Sequence, residues 1–472
     1  MSASVSEFEF IRSEPARGTI YLPDAVVGAQ RRLARAWLWL GLFALIGSGL
    51  FAILLVISRT PGVQNLFPVA DFFRLALVVH VDLSVLVWFV AMAGLLWSLQ
   101  VRAVAMPLAK AALAACAAGT AGMLVAPFAG GGEALMANYI PVLDGRVFLA
   151  ALVVFGIGAT LLVLHALLAA PRPGQSPAAV GALQFGSNAS AVAMAVALLA
   201  FAWSWWVMPA SLDGKAYYEV LFWGGGHALQ FTWTILMLLS WLWLAGACGA
   251  RVALSPRIVA LMFLLALVSV FVTPLAYLAY DIASVEHRNL HTWAMRVGGG
   301  LAIAPVMLAV ILSMLSKLEL SAAQRPLRAA LWSSMAVFAL GGVIGVVIAG
   351  NNVRIPAHYH GSIVGVTLAL MGVVYFLLPR LGYAAPVSRL ARVQPVFYAV
   401  GQALHILGLV WSGGYGVQRK VAGAEQVLRS TSEIAGMGVM GLGGLIAIIG
   451  GLLFVVVVIR AMRAPPNAER AA

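Results

Sequence analysis

Charge is what this chain has least of: Asp, Glu, Lys and Arg make up 10% of its 472 residues, against 62% hydrophobic, and the mean hydropathy is +0.98. So little charge cannot cover a soluble surface. Apolar runs of 20 or more residues, without polar alternation, exclude a water-filled β-barrel. Cysteine is nearly absent. Cys116 and Cys248 lie alone in separate apolar runs, which excludes a disulfide framework and a Cys-x-x-x-Cys copper site. No polar linker, internal repeat or low-complexity tract divides the chain, and residues 1–35 lack the short apolar core and cleavage site of a signal peptide.

What is present is apolar sequence in about twelve stretches, near 36–58, 72–100, 104–127, 147–169, 183–209, 218–249, 257–280, 290–316, 329–350, 356–379, 393–413 and 432–462. Each is long enough as a helix to cross ~30 Å of hydrocarbon. The expected fold class is all-α, a polytopic bundle of about twelve transmembrane helices. It comprises an N-terminal segment (1–35), a transmembrane domain (36–462) and a tail (463–472). With the N-terminus inside, nineteen of the 29 Lys and Arg fall on inner segments. The positive-inside rule then puts both termini in the cytoplasm of an inner (plasma) membrane protein. The net charge of +13 therefore orients the chain among membrane lipids, and no nucleic-acid partner is expected.

Histidine carries the chemistry. Arg354-Ile355-Pro356-Ala357-His358-Tyr359-His360-Gly361 opens the tenth stretch, and two residues apart on a helix its imidazoles point about 200° from each other. They cannot easily share one metal, but each can ligate a different one, a geometry that suits two haems flanking one helix. The topology places His80, His227, His287, His291, His358 and His360 in the outer third of the bilayer. Ionisable residues gathered at one depth in a membrane mark a functional site. His165, alone at an inner helix end, reads as structural. His405, deeper in the eleventh helix, reads as packing, with a contact to a haem edge as the alternative.

These residues resemble subunit I of the haem-copper oxidase superfamily, which includes oxygen reductases and nitric oxide reductases. The resemblance runs from the first helix to the twelfth. It implies two haems: His358 as proximal ligand of a high-spin haem, and His360 with His80 as the axial pair of a low-spin haem. Arg74 to Trp88, around His80, looks most like the nitric oxide reductases. Trp223-Gly224-Gly225-Gly226-His227 resembles the segment that gives the first ligand to a non-haem metal, Fe or Cu. Arg419 and Lys420 stand where the family places the Arg pair that holds haem propionates, and two cations suit two carboxylates.

Three departures shape the expectation. Adjacent histidines after helix seven are replaced by Glu286-His287-Arg288-Asn289-Leu290-His291. His287 and His291, at i and i+4, can share a helical face and chelate one ion. Second, many oxygen reductases carry a tyrosine four residues after the helix-six histidine, where this chain has Phe231. Tyr277 and Tyr280 are the local substitutes, with packing the simpler role. Third, Asp82, Glu219, Asp281, Glu286 and Glu433 all lie in the outer half, and the inner half of the spans has no carboxylate, so protons are expected from outside.

These departures favour reduction of NO to N2O. The glutamate usual in nitric oxide reductases is missing at Phe231, and Gln230 and Glu286 are the candidates to replace it. The alternatives are a terminal oxygen reductase of the cytochrome c oxidase type, favoured by any tyrosine close to the metal site, and a two-haem electron-transfer protein without the non-haem metal. No soluble copper or cytochrome domain is visible in the sequence. An electron-donor subunit with a cytochrome c or copper domain on the outer face, or quinol, is the expected partner.

Overall fold

The computed structural model describes residues 18–24, 28–63, 70–130, 132–171, 176–348, 352–422 and 425–465. Within them are twelve helices long and apolar enough to span a membrane. They are α1 (Gly28–Arg59), α2 (Phe72–Gln100), α3 (Met106–Phe128), α4 (Arg146–Leu168), α5 (Ala178–Trp206) and α6 (Gly214–Ala247). Next come α7 (Pro256–Ala279), α8 (Val285–Met314), α9 (Gln324–Val346), α10 (Arg354–Arg380), α11 (Arg389–Gly414) and α12 (Thr431–Arg463). Most of the tail expected at 463–472 and much of segment 1–35 lie outside the described residues.

Burial decides which helices form the centre. In α6 and α10 the most apolar windows are 89% buried, against 33–61% for the other ten. Those two helices carry His227 and the His358/His360 pair, so three of the six histidines expected at the outer end stand on the two most enclosed helices. The outer ring presents large apolar side chains such as Leu50, Val153, Leu199, Leu278 and Val346. That is the normal state of a lipid-facing surface, and the exposed Trp205 and Trp206 at the end of α5 suit the interfacial belt.

Lipid gives helices no hydrophobic reason to associate, so close approach depends on small residues. On α11 and α12, Gly401, Gly408, Gly436 and Gly443 each leave room for the facing backbone. Gly341 of α9 and Gly361 of α10 do the same for each other, and a methyl group on either would run into the opposite main chain.

The end of the bundle expected to face outward, termed the outer end below, is closed by an antiparallel hairpin between α3 and α4. Its strands β1 (Glu133–Leu135) and β2 (Val142–Asp144) pair in the register Glu133↔Asp144. The segment between the strands turns inward against α6. Helix α8 starts earlier than hydropathy alone indicates, because the Ser284 hydroxyl accepts from the His287 N–H at 3.1 Å and caps the helix, with Glu286 in its first turn. His287 and His291 therefore sit on the helix, one turn apart.

Candidate haem and metal centre

Each haem-ligand candidate has one ring nitrogen fixed by a neighbouring oxygen, which leaves the other, Nε2, free to ligate. The His80 Nδ1–H donates to the Ser48 carbonyl of α1 at 3.0 Å, and the Ser48 hydroxyl lies 2.9 Å from the same nitrogen. The His358 Nδ1–H donates to the Gly341 carbonyl at 2.7 Å, a contact that the Gly341/Gly361 crossing makes possible. Beside it, Gly345 leaves space that a methyl group would take from the His358 ring. The His360 Nδ1–H donates to Gln402 Oε1 at 3.3 Å. This is how proteins fix the tautomer and direction of a ligating imidazole. All three histidines are half-buried although they lie within spanning helices, so each borders space that packed side chains leave open.

His80 and His360 lie within electrostatic reach of one another. His405 joins them: its ring centroid is 4.5 Å from that of His360, and its Nδ1–H donates to the Met440 carbonyl at 3.0 Å. Sequence left His405 between packing and haem-edge contact, and the structure places its ring against that of His360. His165 donates from Nε2 to the Val104 carbonyl at 3.1 Å, far from the other histidines in sequence and fully buried, which is a structural role.

The second cluster is built on α6 and α8. The Trp223 indole donates to the Arg288 carbonyl at 3.2 Å, while the Arg288 guanidinium lies 4.8 Å over the Trp223 ring, so the two helices are clasped one turn above His227. His227 then meets His291 at 5.8 Å between ring centroids, and His291 meets His287 at 4.5 Å. His287 and His291 are buried, at 0% and 1% exposure. Both ring nitrogens of His287 and the Nε2 of His291 have no hydrogen-bond partner. Unsatisfied buried polar atoms cost roughly 1–3 kcal/mol each, so a cation ligated there would remove a penalty the protein otherwise bears. The donor set, three imidazoles, suits Cu, Fe or Zn.

That set is not yet closed around a point: among the described residues no three His, Cys, Asp or Glu side chains enclose an ion. At His227 both ring nitrogens are already engaged. Its Nδ1–H donates to the Trp223 carbonyl at 2.8 Å, and its Nε2 accepts from the Tyr139 hydroxyl at 2.9 Å. Ligation through Nε2 requires exchange of the phenol for the metal.

Tyr139, on the segment between β1 and β2, is the residue that sequence reasoning missed. The signal lies in the glycines before His227. A methyl group at Gly224 would run into the Tyr277 ring, at Gly225 into Phe201, and at Gly226 into Tyr139. The triplet is a set of three notches that admit aromatic rings, and it could have announced aromatic neighbours without saying which. Burial, reinforced by Tyr359 and Glu219, pushes the Tyr139 hydroxyl well above the usual phenol range. Tyr277 packs its ring edge-on against His287 at 4.8 Å, but its hydroxyl is turned away, to the Ser204 hydroxyl at 2.6 Å. Tyr280 is exposed at the helix end.

Of the two candidates for the missing acid, Gln230 hydrogen-bonds to Tyr139. Glu286 is exposed and not brought to the histidines by the fold. A different acid approaches: the Glu219 carboxylate, two turns above His227 on α6, accepts from the Asn138 N–H at 3.1 Å and from its side-chain amide. Asp82, two residues after His80, is buried in the π-helical stretch of α2, with neither carboxylate oxygen partnered.

Arg419 and Lys420 lie half-buried at the outer end. The Arg419 guanidinium donates to Asn138 Oδ1 at 3.1 Å, and the Lys420 ammonium donates to the Met136 carbonyl. Burial, with Arg419 and Lys215 nearby, pulls the Lys420 ammonium down to about 8 against the opposing effect of Glu219. Both cations thus brace the inward-turned hairpin. Arg59 donates to Gln426 Oε1 at 3.1 Å and to the Gln418 carbonyl at 3.2 Å, on the same loop as Arg419 and Lys420.

Comparison with known proteins agrees with this architecture. An uncharacterised Rickettsia prowazekii protein is 29% identical over 90% of this chain and 94% of its own length. An uncharacterised Aquifex aeolicus protein is 29% identical over 76% and 88%. The cryo-EM structure of a haem-copper terminal oxidase dimer superposes with a TM-score of 0.68 at 16% identity, covering 93% of this chain and 85% of that one, a likeness of fold. The family model for cytochrome c and quinol oxidase polypeptide I matches residues 32–453, nearly the whole bundle and every histidine described above, and the chain therefore belongs to that family, as a subunit I of the haem-copper oxidase superfamily.

Proposed function

We propose that this chain is the catalytic subunit of a terminal respiratory oxidoreductase that reduces a diatomic oxidant in the outer third of the membrane, and that the oxidant is O2. The observation that carries the choice is the Tyr139 hydroxyl on His227 Nε2. Reducing O2 to two waters takes four electrons and four protons, and a phenol at the reacting centre can give up one electron and one proton together. Coupling two NO molecules to N2O and water takes two of each and needs no such group.

In this reading His358 holds a high-spin haem, His80 and His360 hold a low-spin haem, and His227, His287 and His291 hold a non-haem Cu or Fe. The haems supply electron transfer and binding of the diatomic ligand. The chain's own contribution is to orient the imidazoles through the carbonyls of Ser48, Gly341 and Trp223. It also keeps the pocket dry with the three aromatics admitted by Gly224, Gly225 and Gly226, and it presents the Tyr139 hydroxyl. Arg59, Arg419 and Lys420 receive haem propionates. Electrons enter from an outward-facing donor subunit or from quinol.

The NO reading keeps one supporting observation. Glu219, Asn138 and Tyr139 form a polar line from the outer end to His227, which supplies protons without a cytoplasmic route. Turnover of the purified complex with O2 and with NO, in the wild type and in Tyr139→Phe, decides between them. Loss of O2 turnover by a hundredfold or more, with haem spectra and metal content unchanged, is expected. A wild type that turns over NO but not O2, or a Tyr139→Phe variant that reduces O2 at the normal rate, overturns the O2 reading.

A further inference from the structure

At the end of the bundle opposite the hairpin, α9 and α11 border an open groove of about 880 Å3. Its walls are two helical stripes. On α9 the lining positions Arg325, Arg328, Trp332, Ala336 and Leu340 recur every three or four residues, and on α11 Arg392, Val396, Val400 and Ala403 do the same. Ala336 and Ala403 are small side chains in this lining. From Arg325 to Leu340 it runs about 22 Å, most of the way across a ~30 Å hydrocarbon core.

The charge is confined to the mouth. Arg325, Arg328 and Arg392 are exposed, and their guanidinium groups make no ion pair or hydrogen bond with any described residue. The N-terminal ends of both helices lie at the same level and add positive potential. Lys317 and Glu319 lie on the preceding loop, but it is Leu318 and Leu320 that face the groove. A guanidinium trio over a long apolar channel matches an anionic headgroup with an acyl chain below it, since guanidinium groups bind phosphate oxygens in pairs.

We propose that this groove is a binding site for an anionic phospholipid of the phosphatidylglycerol type, from the leaflet on the side where nineteen of the 29 Lys and Arg lie. The arginines hold the phosphate, and an acyl chain lies between α9 and α11. A quinol site is a poorer match, because the lining offers no carboxylate or imidazole to take the protons that hydroquinone oxidation releases. The site is separate from the histidine clusters and does not depend on which oxidant is reduced.

The test is native mass spectrometry of the full protein, delipidated in detergent and then offered equal amounts of phosphatidylglycerol and phosphatidylcholine with identical chains. Wild type should retain phosphatidylglycerol selectively. Arg325→Gln/Arg328→Gln/Arg392→Gln should retain at least tenfold less, and Ala336→Phe, which fills the channel and leaves the arginines intact, should lose it as well, both with unchanged haem spectra. If the triple variant does not fold, Arg392→Gln alone and Ala336→Phe give the same reading. Equal retention of the two lipids, undiminished retention in these variants, or a quinone or second polypeptide displacing the lipid from the groove would overturn the proposal.

Discussion

The Tyr139 hydroxyl donates to His227 Nε2 at 2.9 Å across 88 positions of sequence, and the ring that carries it occupies the space left by the missing side chain of Gly226. The adjacent glycine and histidine on α6 thus form one device: the first admits the phenol, the second receives its hydrogen bond.

Gly226→Ala should therefore push Tyr139 away from His227. Overpacking of this kind costs about 1–3 kcal/mol, and O2 turnover should fall together with thermal stability. Tyr139→Ala in the same chain should restore most of the stability but none of the turnover. If Gly226→Ala alone were silent in both measurements, the fit between the two residues would not matter.

His80→Ala or His360→Ala should abolish the low-spin haem spectrum, because one imidazole cannot make both axial bonds. His358→Ala should instead disturb the high-spin haem and leave the low-spin signal. Optical and EPR spectra of the three variants check this, and selective loss of the low-spin signal in His358→Ala would mean that the pair on α10 is assigned in reverse.

His227→Ala should keep both haems and lose the non-haem metal with turnover. Metal analysis is expected to give one non-haem Cu or Fe per chain in the wild type and none in the variant. Active wild-type protein without that metal would remove the binuclear mechanism and leave a two-haem protein.

Proton supply should come from the outer side. In sealed vesicles with an outward-facing donor, turnover should take up protons from the donor's side and build little membrane potential, since moving a charge through 100 mV involves about 2.3 kcal/mol and none need cross. Glu219→Gln should slow this uptake several-fold while leaving haem spectra intact. Alkalinisation of the opposite compartment, or a rate that falls as potential is imposed, would reveal a second route.

The sequence by itself determined the architecture and nominated the haem-ligand candidates. Twelve apolar stretches of spanning length leave an isolated membrane chain no structure but helices, because each backbone polar group must be satisfied within its own segment. A His-x-His pair on one helix has only one way to serve two planar cofactors, on opposite faces. Hydropathy alone placed the start of α8 too late, because the Ser284 cap that begins it adds nothing apolar. Tertiary structure decided what surrounds those ligands. Tyr139 lies in a short loop with no periodicity, 88 residues before His227, and nothing local to it predicts inward insertion. That contact exists because β1 and β2 pair, because Asn138 is tied to Glu219 and Arg419, and because three successive glycines on α6 leave room. Glu286, which is next to His287 in sequence, is apart from the histidine cluster in space, since a helix turns 100° per residue and His287 and His291 take the buried face. Spacing along a chain fixes which residues share a helix face, and only packing fixes what that face meets.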